Sequence, residues 1–484
     1  MLLGIDLGTG SVKALLLSSE GSVIAQASAP YEVRSPRPGY AETLPSAWWA
    51  ATLRVVREAC AGYAAEVAAV GLSGQMHGVV LLSGAGTPLR PAVLWADTRA
   101  APVLDRYRER AGDDLAKLKN PVTAGMAGPT LFYLRETKPE ALGGVRWALQ
   151  PKDGLRYRLT GEVASEASDA SGTLLFDVAG GGWLDGLMVR LGLEPAWLPP
   201  LTTSGAVAGA LTREAAEGLG LRAGTPVVAG GADTACAAFG SGLTRAGAAQ
   251  LTVGTGAQII LVQTEPDDAS ARGVHLYRTI DYRTTETQTI ETQGAPFYAL
   301  AAVQNAGLAL EWARRSLNLS WAELYREAFS VPSSSGVTFL PYLTGERTPH
   351  LDAQVRGVWA GLALHHTPAE LARSAFEGVA FALRDGLDAL LAGAAPLEQL
   401  FLAGGGTLEP AWQQLLADAL ESPLYLSDAS SASAVGAARL AGLGTGVTFA
   451  LPEPTFTGVV TPKNDLSAPY ARFRALYPQV KGWG

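Results

Sequence analysis

The sequence predicts an α/β protein built from two domains, and three observations support this prediction. Patterns typical of strands alternate with patterns typical of helices along the chain, which is the arrangement of α/β folds. The chain has 484 residues, whereas a single hydrophobic core stops growing at roughly 250 to 300 residues. A Gly-Thr-Gly turn near the N-terminus returns halfway along the chain. We therefore expect two domains of similar size, residues 1–243 and residues 244–484.

The first elements are predicted to form a β-meander around a glycine-rich turn. Residues 2–5 read as a strand, residues 8–11 as a turn and residues 12–17 as a second strand, with a third strand from Val23. Glycines let the backbone approach a phosphate closely, and the hydroxyls of Thr9 and Ser11 can donate hydrogen bonds to it. Residues 6–13 alone are equally compatible with a plain hairpin turn, and they also resemble an aspartic protease loop.

The same pattern opens the second half of the chain. Residues 250–253 lead into Gly254, Thr255 and Gly256, and residues 259–262 read as the following strand. Two phosphate loops on opposed domains suit a triphosphate, and the chain contains no Walker A motif. The repeat predicts duplicated domains with a boundary near residues 240–246.

The strongest helix signal begins at Thr367. Thr367 and Glu370 form a capping box, and Pro368 occupies the first helical position. Apolar residues then recur at every fourth position: Leu371, Ala375, Val379, Leu383, Leu387 and Leu391. We expect a long helix that faces the core. Residues 178–203 are rich in Gly and Pro and are predicted to be an irregular connection.

Charge and composition exclude several classes of binding partner and of structural site. A net charge of −8 gives no basic surface for nucleic acid or anionic lipid. No apolar run approaches the roughly 18 residues that a membrane span needs. Cys60 and Cys236 are the two cysteines, too few and too far apart for a zinc site or a disulfide framework. We expect a cytoplasmic protein that acts on small molecules.

One carboxylate follows a buried strand and two glycines. The strand ends at Ala229, Gly230 and Gly231 come next, and Asp233 follows. A carboxylate at this position could accept a hydroxyl proton during phosphoryl transfer. Taken alone, Asp233 could equally cap a turn or a helix.

Several motifs, in a fixed order along the chain, resemble one family. They are residues 6–9 (Asp-Leu-Gly-Thr), residues 230–233 (Gly-Gly-Ala-Asp), residues 254–256, residues 357–362 followed by residues 370–377, and residues 404–406 (Gly-Gly-Gly). The long stretch over residues 357–377 is similar to the C-terminal signature of the carbohydrate kinases that include glycerol kinase, ribulokinase and xylulokinase. The resemblance implies two actin-like (ribonuclease H-like) domains with a cleft between them. It also implies that the N-terminal domain binds the sugar and the C-terminal domain the nucleotide.

Residues 71–78, together with residues 94–99 and 340–350, resemble the xylulokinase members of this family. The resemblance implies ATP-dependent phosphorylation of D-xylulose, with a sugar pocket formed by Gln75, Met76, His77, Trp95 and Asp97. From the residues alone, Trp95 could equally be a core aromatic, and Asp97 could pair with Arg99 at the surface. A kinase for another ketose or polyol, such as ribulose or glycerol, is the alternative, because Thr234 stands where xylulokinases often carry Asn. A non-catalytic sugar or nucleotide sensor is a further alternative.

The resemblance also implies roles in catalysis and nucleotide binding. Asp233 is expected to act as the base, and Asp6 to lie near Mg²⁺ and to bind it through water. The expected nucleotide-binding residues are Gly8, Thr9, Gly10, Ser11, Lys13, Gly254, Thr255, Gly256, Gly307, Gly404 and Gly405. The expected partners are a small sugar and ATP, with neither nucleic acid nor membrane, and a homodimer stays open.

Overall fold

The computed structural model describes residues 1–281, 296–392, 397–427, 431–447 and 453–483. The chain divides into two compact units. Unit 1 comprises Met1–Thr244 with the described parts of Tyr277–Phe297 and Ser431–Glu453. Unit 2 comprises the described parts of Arg245–Leu276, Tyr298–Ser430 and Pro454–Gly484. Among the described residues, no helix is both long and apolar enough to cross a membrane.

Strands and helices alternate through both units, which confirms the predicted α/β class. The strands are β1 (Leu2–Leu7), β2 (Ser11–Leu17), β3 (Val23–Pro30), β4 (Glu42–Thr43), β5 (Ala69–Gly74), β6 (Val80–Ser83), β7 (Ala92–Val93), β8 (Val145–Leu149), β9 (Ser165–Glu166), β10 (Phe176–Asp177), β11 (Gly182–Trp183), β12 (Leu201–Thr202), β13 (Val207–Ala210), β14 (Pro226–Val228), β15 (Gly231–Ala232), β16 (Ala248–Val253), β17 (Ala257–Gln263), β18 (His275–Arg278), β19 (Phe297–Val303), β20 (Thr338–Leu340), β21 (Val358–Ala360), β22 (Gln399–Ala403), β23 (Leu424–Leu426) and β24 (Val459–Val460). The α-helices are α1 (Pro45–Ala59), α2 (Leu104–Ala111), α3 (Leu115–Leu118), α4 (Ala127–Thr137), α5 (Pro151–Thr160), α6 (Ala167–Ala170), α7 (Asp185–Arg190), α8 (Arg213–Leu219), α9 (Asp233–Gly240), α10 (Gly307–Ser316), α11 (Trp321–Ala328), α12 (Pro368–Leu391), α13 (Pro410–Leu420), α14 (Ala432–Gly444) and α15 (Ser467–Val480).

Unit 1 is organised around a sheet in the order β13-β14-β5-β1-β2-β3, and β15 also pairs with β5. Strand β2 runs antiparallel to both β1 and β3, and the three strands form the predicted meander. Strand β5 runs parallel to β1, with Leu7 opposite Gly74. The two strands therefore end at the same edge of the sheet, where Asp6 and the motif after Gly74 come together.

Helix α14 packs against this sheet although it follows most of unit 2 in sequence. A Cβ atom on Gly4 would lie 2.0 Å from the carbonyl oxygen of Ala434, and one on Gly71 would lie 1.8 Å from that of Ala437. Only glycine permits so close an approach of strand and helix backbones. Residues 431–447 therefore belong to unit 1, whereas the sequence prediction assigns all of residues 244–484 to one domain.

Unit 2 repeats the opening arrangement of unit 1. Its sheet has the order β18-β19-β17-β16-β22-β23-β24. Strands β16 and β17 are antiparallel and are joined by the turn of residues 254–256. Strand β22 runs parallel to β16, with Ala403 opposite Thr252. The predicted recurrence of a hairpin with a Gly-Thr-Gly turn is therefore confirmed.

The helix predicted from Thr367 is confirmed as α12. The side chain of Thr367 accepts a hydrogen bond from the backbone N–H of Ala369, and Glu370 Oε2 accepts one from the N–H of Thr367 at 2.9 Å. The predicted irregular connection over residues 178–203 is wrong in part, since the segment contains α7 and the short strands β11 and β12. Leu187 and Met188 are buried there, and this burial stabilises a short helix in spite of the flanking glycines.

Candidate active site

Asp233 lies at the first position of α9, directly after the short strand β15. Glycine is required in the approach, because a Cβ atom on Gly230 would lie 2.1 Å from the carbonyl oxygen of Leu72, and Gly230 has a φ of 80°. The Oδ1 atom of Asp233 accepts hydrogen bonds from the backbone N–H of Thr234 at 2.7 Å and from its hydroxyl at 3.3 Å. Thr234 thus holds the carboxylate of Asp233.

Asp6 and Asp233 are brought together by strand β5. Ser73 of β5 pairs with Asp6 on one side and with Gly231 on the other. The hydroxyl of Ser73 donates to Asp6 Oδ1 at 3.0 Å. Burial raises the pKa of Asp6, against the opposing effects of Ser73 and of Lys13, which lies opposite Asp6 on β2.

The pKa of Asp233 is raised to about 7. Burial is the main cause, and the negative charge of Asp6 adds to it, while the hydrogen bonds from Thr234 oppose the shift. A carboxylate with a pKa near neutrality can accept a proton from a hydroxyl and release it again at physiological pH. This combination of two acids is typical of an active site.

The first glycine turn is held in place by three side chains. The Tyr31 hydroxyl donates to the carbonyl oxygen of Gly8. The side-chain amide of Gln75 donates to the same carbonyl at 3.3 Å and to the Tyr31 hydroxyl at 3.1 Å. Trp95 Nε1 donates to the hydroxyl of Thr9 at 2.8 Å. Gln75 is fully buried, and its hydrogen bonds to Gly8 and Tyr31 hold the turn in its shape. Neither the motif nor the spacing in the sequence indicates a role for Tyr31.

Met76 and His77 follow β5 and lie beside Gly172. His77 has a φ of 73°, and its Nδ1 lies 2.8 Å from the carbonyl oxygen of Gly172. Because a carbonyl only accepts, Nδ1 of His77 carries a proton. The ring centre lies 5.9 Å from that of Tyr277. Tyr277 belongs to the same unit and carries no signal in the sequence.

The structure places Trp95 and Asp97 in different environments. The Trp95 side chain is 42% exposed. Trp95 is therefore not a core aromatic, which was one of the two possibilities that the sequence left open. Asp97 is buried, and its Oδ2 accepts from the backbone N–H of Ala41 and from Arg99, each at 2.7 Å. Arg99 also donates to Glu42 at 2.7 Å. The pair of Asp97 and Arg99 is therefore a buried ion pair, and these contacts favour a structural role for Asp97.

In unit 2 the expected nucleotide-binding glycines converge at the ends of β16 and β22. The N–H of Gly307 donates to the carbonyl oxygen of Gly254 at 3.0 Å, so the second turn packs against the start of α10. A Cβ atom on Gly256 would lie 2.8 Å from the carbonyl oxygen of Val303. Gly404 has a φ of 104°, and a Cβ atom there would lie 2.5 Å from the carbonyl oxygen of Val253.

Glu346 supports this part of unit 2, and sequence reasoning gave it no role. Its Oε1 accepts from the backbone N–H of Gln304 at 2.6 Å and of Arg347 at 2.8 Å. Burial raises the pKa of Glu346 to about 7. Gln304 lies next to the second glycine turn, because a Cβ atom on Gly256 would lie 3.1 Å from its carbonyl oxygen.

Comparison with known proteins agrees with this arrangement. Residues 1–240 match the N-terminal domain of the FGGY family of carbohydrate kinases, and residues 249–445 match its C-terminal domain. A xylulose kinase of Escherichia coli (strain K12) is 36% identical over 449 residues, covering 91% of this chain and 89% of that protein. A xylulose kinase of Bacillus subtilis (strain 168) is 32% identical, covering 92% and 88%. The crystal structure of xylulose kinase from Rhodospirillum rubrum matches with a TM-score of 0.88 and 28% identity, over 100% of this chain and 99% of that one.

The chain belongs to the FGGY family of carbohydrate kinases. It is a two-domain enzyme of the actin-like fold that phosphorylates a carbohydrate at the expense of ATP. The predicted family and fold class are therefore confirmed.

Proposed function

We propose that this enzyme transfers the γ-phosphate of ATP to D-xylulose and forms D-xylulose 5-phosphate. The observation that carries the proposal is the placement of Asp233 beside β5, the strand that is followed by Met76 and His77. The base and the sugar motif thus lie on neighbouring segments of one sheet edge in unit 1. The two curated relatives described above are both xylulose kinases, which supports the choice of sugar.

In this proposal Asp233 takes the proton from the C5 hydroxyl of the sugar as the phosphoryl group arrives. Phosphoryl transfer depends mainly on alignment and on neutralising charge. Nε2 of His77 accepts a hydrogen bond from a sugar hydroxyl, and Met76 packs against the carbon skeleton. The exposed ring of Trp95 covers the C–H face of the sugar. Gln75 contributes by shaping the first glycine turn.

Each glycine turn is proposed to bind phosphate groups of the nucleotide. Backbone N–H groups and hydroxyls of residues 8–11 bind the phosphates, as do residues 254–256. Gly307 keeps the second turn in place, and Gly404 and Gly405 allow the adenosine to approach the backbone. Lys13 adds a positive charge next to Asp6, as the lowering effect of Lys13 on the pKa of Asp6 indicates.

Asp6 is proposed to bind Mg²⁺ through water. The chemistry of the site fits this ion, because Mg²⁺ prefers oxygen ligands and the Asp6 carboxylate lies beside the hydroxyl of Ser73. No cluster of three or more His, Cys, Asp or Glu residues is present in the described part of the chain. Mg²⁺ takes few carboxylates and keeps several waters, so one carboxylate can hold it through water. When bound, Mg²⁺ neutralises charge on the phosphates of ATP.

The sugar assignment is tested by measuring ADP release over a panel of acceptors. The purified enzyme is assayed with D-xylulose, D-ribulose, D-fructose and glycerol, each over a range of concentrations. We expect the highest kcat/KM with D-xylulose. Equal or higher kcat/KM with another member of the panel would overturn the choice of sugar but not the class of enzyme.

The rate is expected to rise with pH through about 7, because Asp233 must be ionised to accept a proton and its pKa is raised to about 7. Below this pH, kcat/KM for the sugar should fall about tenfold per pH unit. The measurement uses subsaturating substrates between pH 5.5 and 9, which reports the titration of the free enzyme. Asp233→Asn is the control, since its residual kcat/KM should not show this fall below pH 7. A flat profile for the wild-type enzyme between pH 6 and 8 would contradict the assignment.

Gly172→Ala is expected to weaken sugar binding. The added Cβ atom would lie 2.9 Å from His77 Nδ1 and 3.1 Å from Met76 Cε, so both side chains must move. Loss of one hydrogen bond of about 1 kcal/mol should raise the KM for D-xylulose roughly fivefold, while the KM for ATP stays unchanged. Gly182→Ala is the matched control, because its Cβ atom meets nothing within 4 Å. An unchanged sugar KM in Gly172→Ala would argue against the placement of the sugar.

A further inference from the structure

Unit 1 contains a cluster of buried charged side chains that the proposed mechanism does not use. All of its members are fully buried: Lys152, Asp153, Arg156, Glu166 and Asp169. Burying charged groups is costly even when they are paired, and apolar residues of similar volume are often no less stabilising. Stability alone is therefore a weak explanation for five such residues in one place.

Two cations of the cluster hold the backbone just before Asp233. The Arg156 guanidinium donates to the carbonyl oxygen of Ala229 at 3.0 Å, and Lys152 Nζ lies 3.4 Å from the same oxygen. Asp153 Oδ1 accepts from Lys152 at 2.6 Å and from Arg156 at 2.9 Å. A single carboxylate thus fixes both cations, and the carbonyl four residues before Asp233 is fixed with them.

Ser168 and Glu166 hold the residue adjacent to Asp233. The backbone N–H of Ala232 donates to Ser168 Oγ at 3.0 Å, and the Ser168 hydroxyl donates to Glu166 Oε1 at 2.9 Å. A carboxylate only accepts hydrogen bonds, so it draws the hydroxyl proton towards itself and leaves a lone pair of Ser168 facing Ala232. The position of Ala232 therefore depends on the carboxylate of Glu166.

Glu166 also reaches Gly230 through Ser204. The Ser204 hydroxyl donates to Glu166 Oε2 at 2.9 Å. The carbonyl oxygen of Ser204 accepts from the N–H of Gly230 at 2.9 Å. Three backbone groups of residues 229–232 are thus bonded to side chains of the cluster or to residues that it holds. Asp233 is the next residue.

We propose that Glu166 and Ser168 are positioning residues for Asp233, because together they fix the backbone from which the base extends. The proposal rests on the proposed role of Asp233 as the base. Phosphoryl transfer is sensitive to the placement of the base, since a misplacement of 1 Å can cost about 10²-fold in rate. Ser168, Glu166 and Ser204 are joined to one another and to this backbone by hydrogen bonds of 2.9 to 3.0 Å, and buried hydrogen bonds of this kind make a structure more rigid.

Ser168→Ala tests the proposal by removing the acceptor of the Ala232 N–H. We expect kcat with saturating D-xylulose to fall between about 10-fold and 10²-fold. The KM values for D-xylulose and ATP should change less than about twofold, because neither substrate is bound by this residue. Thr52→Val is the matched control: Thr52 is also fully buried in unit 1, and its hydroxyl donates to Trp48. A Ser168→Ala enzyme with unchanged kcat would overturn the proposal.

The same substitution in an Asp233→Asn background separates positioning from general damage. If Ser168 acts through Asp233, Ser168→Ala should cause no further loss in the residual rate of Asp233→Asn. An equal fold-loss in both backgrounds would overturn the proposal. If Asp233→Asn alone keeps normal turnover, the proposed function of Asp233 fails, and this inference fails with it. A slow Asp233→Asn beside a normal Ser168→Ala rejects only this inference.

Ser204→Ala keeps the test decisive if Ser168→Ala does not fold. It removes one donor to Glu166 Oε2 and leaves the bond from Ser168 to Ala232 intact. We expect kcat to fall severalfold in the wild-type background and to be unaffected in the Asp233→Asn background. Loss of the same size in both backgrounds, or no loss in either, would overturn the proposal.

Discussion

Asp233→Asn is expected to lower kcat by about 10²- to 10⁴-fold, the usual cost of removing a general base. Asparagine preserves the size of the side chain and an oxygen that can accept the hydrogen bonds from Thr234, but it cannot take a proton from the sugar hydroxyl. Binding of D-xylulose and of ATP should be kept, because the proposed contacts to both substrates come from other residues. The measurement is ADP release with D-xylulose, together with calorimetric titration of each substrate.

Asp105→Asn provides the matched control for this substitution. Asp105 also lies in unit 1, its side chain is 95% exposed, and its ion pair with Arg108 lies on the surface. Exposed pairs of this kind contribute little to stability, so turnover should be unaffected. Retention of normal turnover by Asp233→Asn would remove Asp233 from the mechanism, whatever the control shows.

Gly71→Ala is expected to destabilise unit 1 by about 3 kcal/mol or more, at or beyond the upper end of the usual cost of overpacking. The new Cβ atom would lie 1.8 Å from the carbonyl oxygen of Ala437 and 2.6 Å from its carbonyl carbon. Both atoms belong to the backbone of α14, so relief requires movement of the whole helix away from the sheet. Such a loss is a large part of the roughly 5 to 15 kcal/mol that stabilises an ordinary protein.

The expected result is a lower midpoint in thermal or urea unfolding, with a reduced yield of folded enzyme. Gly84→Ala is the control, because its Cβ atom meets nothing within 4 Å and Gly84 is exposed. If Gly71→Ala unfolds at the same urea concentration as the wild-type protein, then α14 does not pack against β5 as described.

Local signals in the sequence were sufficient for much of the fold. The meander, the second hairpin and the capping box of α12 each depend on residues that lie close together in the chain. The position of α14 could not be predicted, because its small residues do not indicate which sheet they contact. The close contact of the α14 backbone with Gly4 and Gly71 can be seen only in the folded structure.

The candidate site shows the same division between local and long-range signals. The order of motifs identified Asp6 and Asp233 as a pair of acids, and Ser73 brings them together. The sequence could not show that Gln75 is buried beneath the first glycine turn, or that Asp97 is bonded to Ala41. Both outcomes depend on partners more than 40 residues away in the chain. Whether these two residues contact the sugar stays a prediction.

The role of Asp233 as the base is tested most directly by the rate of ADP release with D-xylulose, measured side by side for the wild-type enzyme and Asp233→Asn at pH 8. At that pH the carboxyl of Asp233, with its pKa of about 7, is mostly ionised in the wild-type enzyme. We expect rapid release by the wild-type enzyme and a rate at least about 10²-fold lower in the variant. Similar rates for the two proteins would contradict this role.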